Sequence, residues 1–163
     1  MRFTWFVALL CYGAPSFAYD ANGVELGATE AAVRKVFTTA HCKELEWKSA
    51  AADRRCDNSR IRYAGVSARI TLYLSAGALR AFDVRFDAGD LPRVVEFLTS
   101  RHGAPAEDLH ETYPRRDQTL REVHRLRWRR GTDRLELISR PGNRRAQIFV
   151  SRGDVSEDLY RIR

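Results

Sequence analysis

The sequence lacks the short motifs that carry most recognisable enzyme chemistry. No GxGxxG, GxxxxGK[ST], HExxH or GxSxG segment occurs in its 163 residues. No two histidines lie three or four residues apart, and no CxxC pair is present. The chain therefore has no local signature of a nucleotide site, a hydrolase nucleophile or a metal site. We expect no catalytic residues, no metal and no cofactor.

Long apolar runs are equally scarce. The one extended run covers residues 3–11, far short of the roughly 20 residues that span a bilayer as a helix. This excludes a polytopic membrane protein. Apolar residues still make up 44% of the chain, and charged residues make up 30%. This apolar fraction is too high for a disordered protein. The length suits one domain of ordinary size.

The N-terminal run has the three-part pattern of a secretory signal peptide. Arg2 precedes the apolar stretch, Gly13 and Pro15 interrupt it, and Ser16 and Ala18 place small residues before a cut. We predict a signal peptide over residues 1–18, cleaved after Ala18, and a single mature domain over 19–163 in the periplasm or secreted. The alternatives are a retained anchor helix, a buried N-terminal element and a lipoprotein signal. The last would need a small residue before Cys11, where Leu10 stands.

The sequence has few cysteines, and their positions predict one disulfide bond. Cleavage would remove Cys11 from the three cysteines and leave Cys42 and Cys56. An even count in an oxidising compartment favours a disulfide. Two buried thiols and a metal pair remain alternatives, although the spacing is poor for a metal. We expect the disulfide.

After the predicted signal peptide, the same order of predicted elements occurs twice: a helix, a polar segment and antiparallel strands. Thr29 is a candidate N-cap for a helix that should end near His41 and Cys42. Residues 43–60 are polar and irregular, and the period then becomes two over residues 66–74 and 82–86, with a hairpin turn between. A second helix is expected from Asp90 to Gly103, followed by a polar stretch over 106–120. Three further strands and a polar tail, which could form a short helix, complete the chain.

The predicted fold class is α+β. Two helix-plus-antiparallel-strands units, over about residues 19–88 and 89–152, would form a two-layer sandwich with helices on one face of the sheet.

Residues 24–37, which open the first unit, resemble the repeat opening of small exported α+β proteins. These are the outer-membrane assembly lipoproteins of the SmpA/OmlA type and the fold-related β-lactamase inhibitor proteins. The helix exit at residues 101–105 and the later Trp128 are also similar. The lipid-accepting cysteine of the assembly lipoproteins is absent here. The resemblance implies a two-layer fold whose members mostly bind other proteins, and it carries over no catalytic residue.

Arginine is the most unusual component that is present. It supplies 25 of the 28 basic residues in a chain of net charge +7, and residues 108–163 hold 14 arginines against nine acidic residues. Alternation along the predicted strands places several arginines with Phe149 on one outer sheet face. Arginine beside aromatic residues is typical of interfaces. The predicted contact surface comprises Arg125, Arg127, Arg129, Arg134, Arg145 and Phe149, extended by Tyr73.

These observations favour a non-catalytic binding protein that uses a basic sheet face to contact another envelope or secreted protein. An anionic ligand is a further possibility, and the plain alternative is a solvated face with no partner. We do not expect nucleic acid, because an exported protein seldom meets it. Two other functions stay open: an inhibitor or immunity protein against a secreted enzyme, and an envelope hydrolase using His110, Glu111 and His124.

Overall fold

The computed structural model describes residues 18–114 and 119–153 together with Val155 and Leu159. Two α-helices lie in this part of the chain, α1 (Glu30–Val36) and α2 (Leu91–His102). The strands are β1 (Asp20–Ala21), β2 (Val24–Glu25), β3 (His41–Glu44), β4 (Arg54–Tyr63), β5 (Val66–Ser75), β6 (Ala78–Asp87), β7 (Glu107–Pro114), β8 (Leu120–Arg130), β9 (Asp133–Ser139) and β10 (Arg145–Arg152). A 3-10 turn over Ala88–Asp90 leads into α2.

Eight of these strands form one long antiparallel sheet in the order β3-β4-β5-β6-β10-β9-β8-β7. Strands β1 and β2 pair separately as a short ribbon. Neighbours in the long sheet follow each other along the chain except at its centre, where β6 pairs with β10. The last four strands therefore lie beside the first four in reversed order.

The main core lies on one face of the long sheet. Ile70 of β5, Phe82 of β6 and Ile148 of β10 are almost fully buried there. Both helices contribute to the same cluster, α1 through Val33 and α2 through Leu98. The alternation of apolar residues along these strands places every second side chain in this core.

Local signals set the helix ends. The Thr29 hydroxyl accepts a hydrogen bond from the backbone N–H of Ala32 at 3.2 Å and caps α1. Helix α2 stops at Gly103, whose φ of +81° lies in a region that glycine adopts without strain. The predicted second helix is thus confirmed. Asp90 occupies the N-cap position but makes no side-chain capping bond.

A second, smaller core covers part of the opposite sheet face. Tyr73, Ala81 and Phe149 project from that face and are buried against other parts of the chain. The covering residues are Ala51, Ala52, Val155 and Leu159. The indole Nε1 of Trp47 donates a 2.8 Å hydrogen bond to the carbonyl of Leu159. This face is therefore closed at one side and left open over β7, β8 and β9.

The predicted α+β class, with two helix-plus-strand units in a two-layer sandwich with helices on one face, was wrong. The structure is mostly β, with 54% strand and 18% helix, and resembles a β-sandwich with two helices among the described residues. The difference arises because segments expected as polar loops are strands, and because the second sheet face also carries a core.

Element boundaries explain the error. Helix α1 ends at Val36 and not near Cys42, and His41–Glu44 pairs with β4 instead. The stretches read as loops contain β3, most of β4 and all of β7. Most of their residues are polar or charged, so they lack the apolar alternation that identifies a strand. Backbone pairing with a neighbouring strand satisfies their N–H and C=O groups regardless of side-chain polarity.

Within the described residues, no helix combines the length and apolar character required to cross a membrane. Residues 1–17 of the predicted signal peptide lie outside the described part of the chain, and Ala18 is its first residue. The division into halves at about residue 88 stays a prediction.

Candidate functional site

The open part of the second sheet face carries a chain of alternating arginines and glutamates. Arg125, Arg127 and Arg129 project from β8 on this face, as alternation predicts. Arg127 lies directly between Glu107 of β7 and Glu136 of β9 in the strand register. The six residues of this Arg–Glu ladder are, in contact order, Glu111, Arg125, Glu136, Arg127, Glu107 and Arg129.

Short hydrogen bonds connect the ladder across three strands. Arg125 Nε lies 2.6 Å from Glu111 Oε2, and its Nη1 lies 3.2 Å from Glu136 Oε1. Arg127 donates to the same Glu136 oxygen at 2.8 Å and to Glu107 at 2.9 Å. At the end of the ladder, Arg129 Nη2 donates a 2.6 Å hydrogen bond to Glu107 Oε1. Arg125 and Arg127 are therefore held by partners on both neighbouring strands, and Arg129 is held by a partner on β7.

The ladder changes the ionisation of its members. The hydrogen bond from Arg127 lowers the pKa of Glu107. Hydrogen bonds from Tyr113 and then Arg125 lower the pKa of Glu111. Burial by itself would lower the pKa of Arg125, but its contacts with Glu136 and Glu111 more than offset this and raise it. Three arginines and three glutamates make up the ladder, so their formal charges cancel.

A groove of about 460 Å³ runs over the ladder. Its polar lining comes from Arg125, Arg127, Glu136 and their neighbours on β8 and β9. Its apolar lining includes Tyr113 of β7 and Ile138 of β9, together with Phe149 of β10. Arginine with aromatic and aliphatic neighbours in a concave setting is a composition that binding surfaces favour.

Positive charge accumulates at the two ends of the ladder. At one end Arg129 and Arg134 are register partners on β8 and β9, so like charges lie side by side. Beyond the other end, burial and the charges of Arg121 and Arg125 lower the pKa of Arg140. The Nε of Arg140 is buried and has no hydrogen-bond partner. Arginines therefore concentrate at both ends of the ladder.

The structure brings most of the predicted contact residues together and separates the others. Arg125, Arg127, Arg129, Arg134 and Phe149 all line the groove. Arg145 is exposed on β10 but is not among the lining residues. Tyr73 projects from this face and is only 4% exposed, because the second core covers it. It cannot extend an accessible surface.

The residues of the alternative hydrolase are divided. His110 and His124 are register partners on β7 and β8, and their rings stack with centroids 4.1 Å apart. The Glu111 carboxylate instead accepts hydrogen bonds from Arg125 and from the Tyr113 hydroxyl. The three side chains therefore do not form one acid–base constellation.

The expected disulfide joins Cys42 and Cys56 in the structure. Cys42 and Cys56 face each other directly in the register of β3 and β4. The bond fastens the outermost strand of the sheet to its neighbour, and Cys56 is fully buried in the main core.

Sequence reasoning missed the acidic half of the ladder. Glu107 and Glu111 lie in β7, which was read as a polar loop. A signal was present, since Glu107, Leu109 and Glu111 alternate with exposed residues and are half-buried.

Comparison of the chain with protein-family models, with curated proteins and with solved structures finds no significant match.

Proposed function

We propose that this chain is an exported, non-catalytic binding protein whose Arg–Glu groove receives a carboxylate-bearing segment of another envelope protein. The observation that carries the proposal is the groove itself, in which ordered guanidinium groups lie beside apolar side chains. Arginines that are already held in place lose little conformational freedom when a partner binds.

The charge distribution selects the partner's chemistry. Arg129 and Arg134 lie side by side at one end of the ladder, and Arg140 lies near Arg121 and Arg125 beyond the other end. Guanidinium groups bind carboxylates in a bidentate manner. A protein segment with acidic residues at its ends and an apolar residue between them would match this pattern.

Export is supported by two features of the described chain. A disulfide persists in oxidising compartments and is rare in the cytosol of mesophiles. The two residues that follow the predicted cleavage site also pack into the fold: Tyr19 is 3% exposed, and Asp20 forms an ion pair with Arg101. Cleavage after Ala18 would leave both contacts intact.

The test compares two double charge reversals in the mature, oxidised protein. Arg129→Glu with Arg134→Glu alters the exposed end of the groove. Arg60→Glu with Arg93→Glu makes the same charge change at exposed positions that do not line it. Each protein captures and crosslinks partners from an envelope extract, and melting temperatures establish that both variants fold.

We expect the wild type and the control pair to capture the same protein, and the groove pair to lose it. The crosslinked segment should carry Asp or Glu, and a peptide of that segment should bind less tightly as salt concentration rises. Equal capture by all three proteins, or a crosslinked segment without carboxylates, would overturn the proposal. Capture of an enzyme by its acidic active-site cleft would favour the inhibitor alternative.

A further inference from the structure

A second cluster of chemistry-bearing side chains lies away from the ladder, on the pair β7–β8. Asp108 and His110 are two residues apart on β7 and therefore project to the same side of the sheet. His124 of β8 is the register partner of His110. The three side chains share one patch because of strand pairing, although 13 residues separate His110 from His124 along the chain.

The ligating atoms of this cluster converge on one point. His124 Nε2 lies 2.6 Å from Asp108 Oδ1, and His110 Nε2 lies 3.6 Å from the same oxygen. One ligating atom of each residue lies within 4.8 Å of those of the other two. The imidazole rings are nearly parallel, with an interplanar angle of 10°. Both Nε2 atoms lie near the same carboxylate oxygen. Because the nitrogen lone pairs lie in the ring planes, one imidazole must rotate out of the stack for both nitrogens to bind one ion.

These separations suit a small divalent ion. Zinc binds histidine nitrogen at about 2.0–2.1 Å and carboxylate oxygen at about 2.0–2.2 Å, so tetrahedral ligands lie about 3.3 Å apart. The two distances to Oδ1, 2.6 Å and 3.6 Å, fall on either side of that value, so side-chain rotations must change them by about 0.7 Å and about 0.3 Å. Two imidazoles and a carboxylate are ligands that zinc accepts in open sites.

The surroundings leave space for a metal and a further ligand. His110 and His124 line a cleft of about 640 Å³ between β7–β8, the start of α2 and the turn after β9. The His110 side chain is 76% exposed and that of Asp108 is 58% exposed. Three protein ligands would leave one tetrahedral position open to water or to a donor atom from another molecule.

We infer that Asp108, His110 and His124 bind one divalent zinc-type metal ion in an open site. The site does not depend on the proposed protein-binding groove, because none of its three ligands belongs to the Arg–Glu ladder. The disulfide also removes Cys42 and Cys56 as competing thiolate ligands.

The test is calorimetric titration of Zn²⁺ into the oxidised protein, purified without a histidine tag. We expect one ion per chain and at least a tenfold weaker Kd for His110→Ala, His124→Ala and Asp108→Asn. His41→Ala removes an exposed histidine outside the cluster and should leave the Kd unchanged. Co²⁺ in place of Zn²⁺ should give a visible absorption band that His124→Ala abolishes.

Because Asp108 and His110 are exposed, their variants should keep the wild-type melting temperature in the absence of metal. The inference is overturned if the wild type takes up no Zn²⁺. It is equally overturned if the His110→Ala and Asp108→Asn variants bind Zn²⁺ as tightly as the wild type.

Discussion

Among single residues, Asp83 has a carboxylate that is buried in the folded protein. It lies on β6 and is 2% exposed. One carboxylate oxygen accepts a 3.0 Å hydrogen bond from Arg85, but the other has no hydrogen-bond partner. Burial raises the pKa of Asp83 above its ordinary value of 3.8, and the contact with Arg85 offsets only part of this effect. A buried oxygen without a partner costs free energy.

We therefore expect Asp83→Asn to raise the free energy of unfolding at pH 7 by roughly 1 kcal/mol. The folded-state pKa is raised, so the unfolded chain ionises first and the wild type loses stability as pH rises above about 3.8. The advantage of the variant should vanish near pH 3.5. Urea denaturation at the two pH values measures it, with Asp90→Asn as the matched control. Lower stability of Asp83→Asn at pH 7 would contradict this.

The disulfide is the second residue-scale feature with a measurable effect. It closes a loop with a sequence separation of 14 residues. In the chain-entropy view, such a cross-link stabilises by about 3 kcal/mol because it restricts the unfolded chain. Replacing Cys42 and Cys56 by alanine should lower the free energy of unfolding by about that amount. Reductant should lower the stability of the wild type and leave the double variant unaffected. A reductant-insensitive wild type would contradict the prediction.

At the scale of elements, the Arg–Glu ladder attaches β7, the last strand of the sheet. An edge strand is bonded on one side only, and β7 contributes few buried apolar side chains. Its attachment depends on backbone pairing with β8 and on the ion pairs of Glu107 and Glu111. The carboxylates on β7 thus add ion pairs with β8 to the backbone pairing that forms the strand.

We expect this attachment to weaken in acid. The pKa values of Glu107 and Glu111 are lowered in the folded protein, so their stabilising contribution is complete above about pH 4.5 and is lost as pH falls through the folded-state values. The melting temperature should therefore decrease as the pH is lowered below about 4.5. The fall should be smaller in the Glu107→Gln/Glu111→Gln variant, because that variant has already lost the ion pairs. Parallel pH profiles for the two proteins would contradict this.

At the scale of the whole molecule, different parts of the chain pack against the two faces of the long sheet. The helices contribute to the main core on one face, and residues from 45–53 and the C-terminal end cover part of the other. Leu159 is fully buried in the second core, and its carbonyl accepts the indole hydrogen bond of Trp47. Val155 and Leu159 therefore help to bury Phe149, which also lines the groove.

Leu159→Ala should lower the free energy of unfolding by about 2–5 kcal/mol, the range for a buried leucine. Loss of packing near Trp47 should also shift the tryptophan fluorescence to longer wavelength. Leu120→Ala makes the same chemical change at a side chain that is 69% exposed and should have little effect. Equal destabilisation by both changes would show that the C-terminal contact contributes no specific packing.

Pattern reading succeeded where packing on one face is strong. The hairpin of β5 and β6, the extent of α2 and the cross-strand arrangement of the arginines on β8 follow from apolar alternation and from glycine at turns. It failed for β3 and β7, whose residues are mostly polar or charged. Their strand structure depends on backbone pairing with β4 and β8, which sequence periodicity does not report.

The sequence by itself determined the scarcity of motifs, the cysteine pair and the alternation that places arginines on one sheet face. Only the tertiary structure decided that glutamates from β7 and β9 neutralise the middle of that face, and that His110 and His124 meet above Asp108. The physical reason is that both arrangements depend on strand register, which joins residues distant in the chain. The net charge of a surface is set by such neighbours and cannot be read from one strand alone.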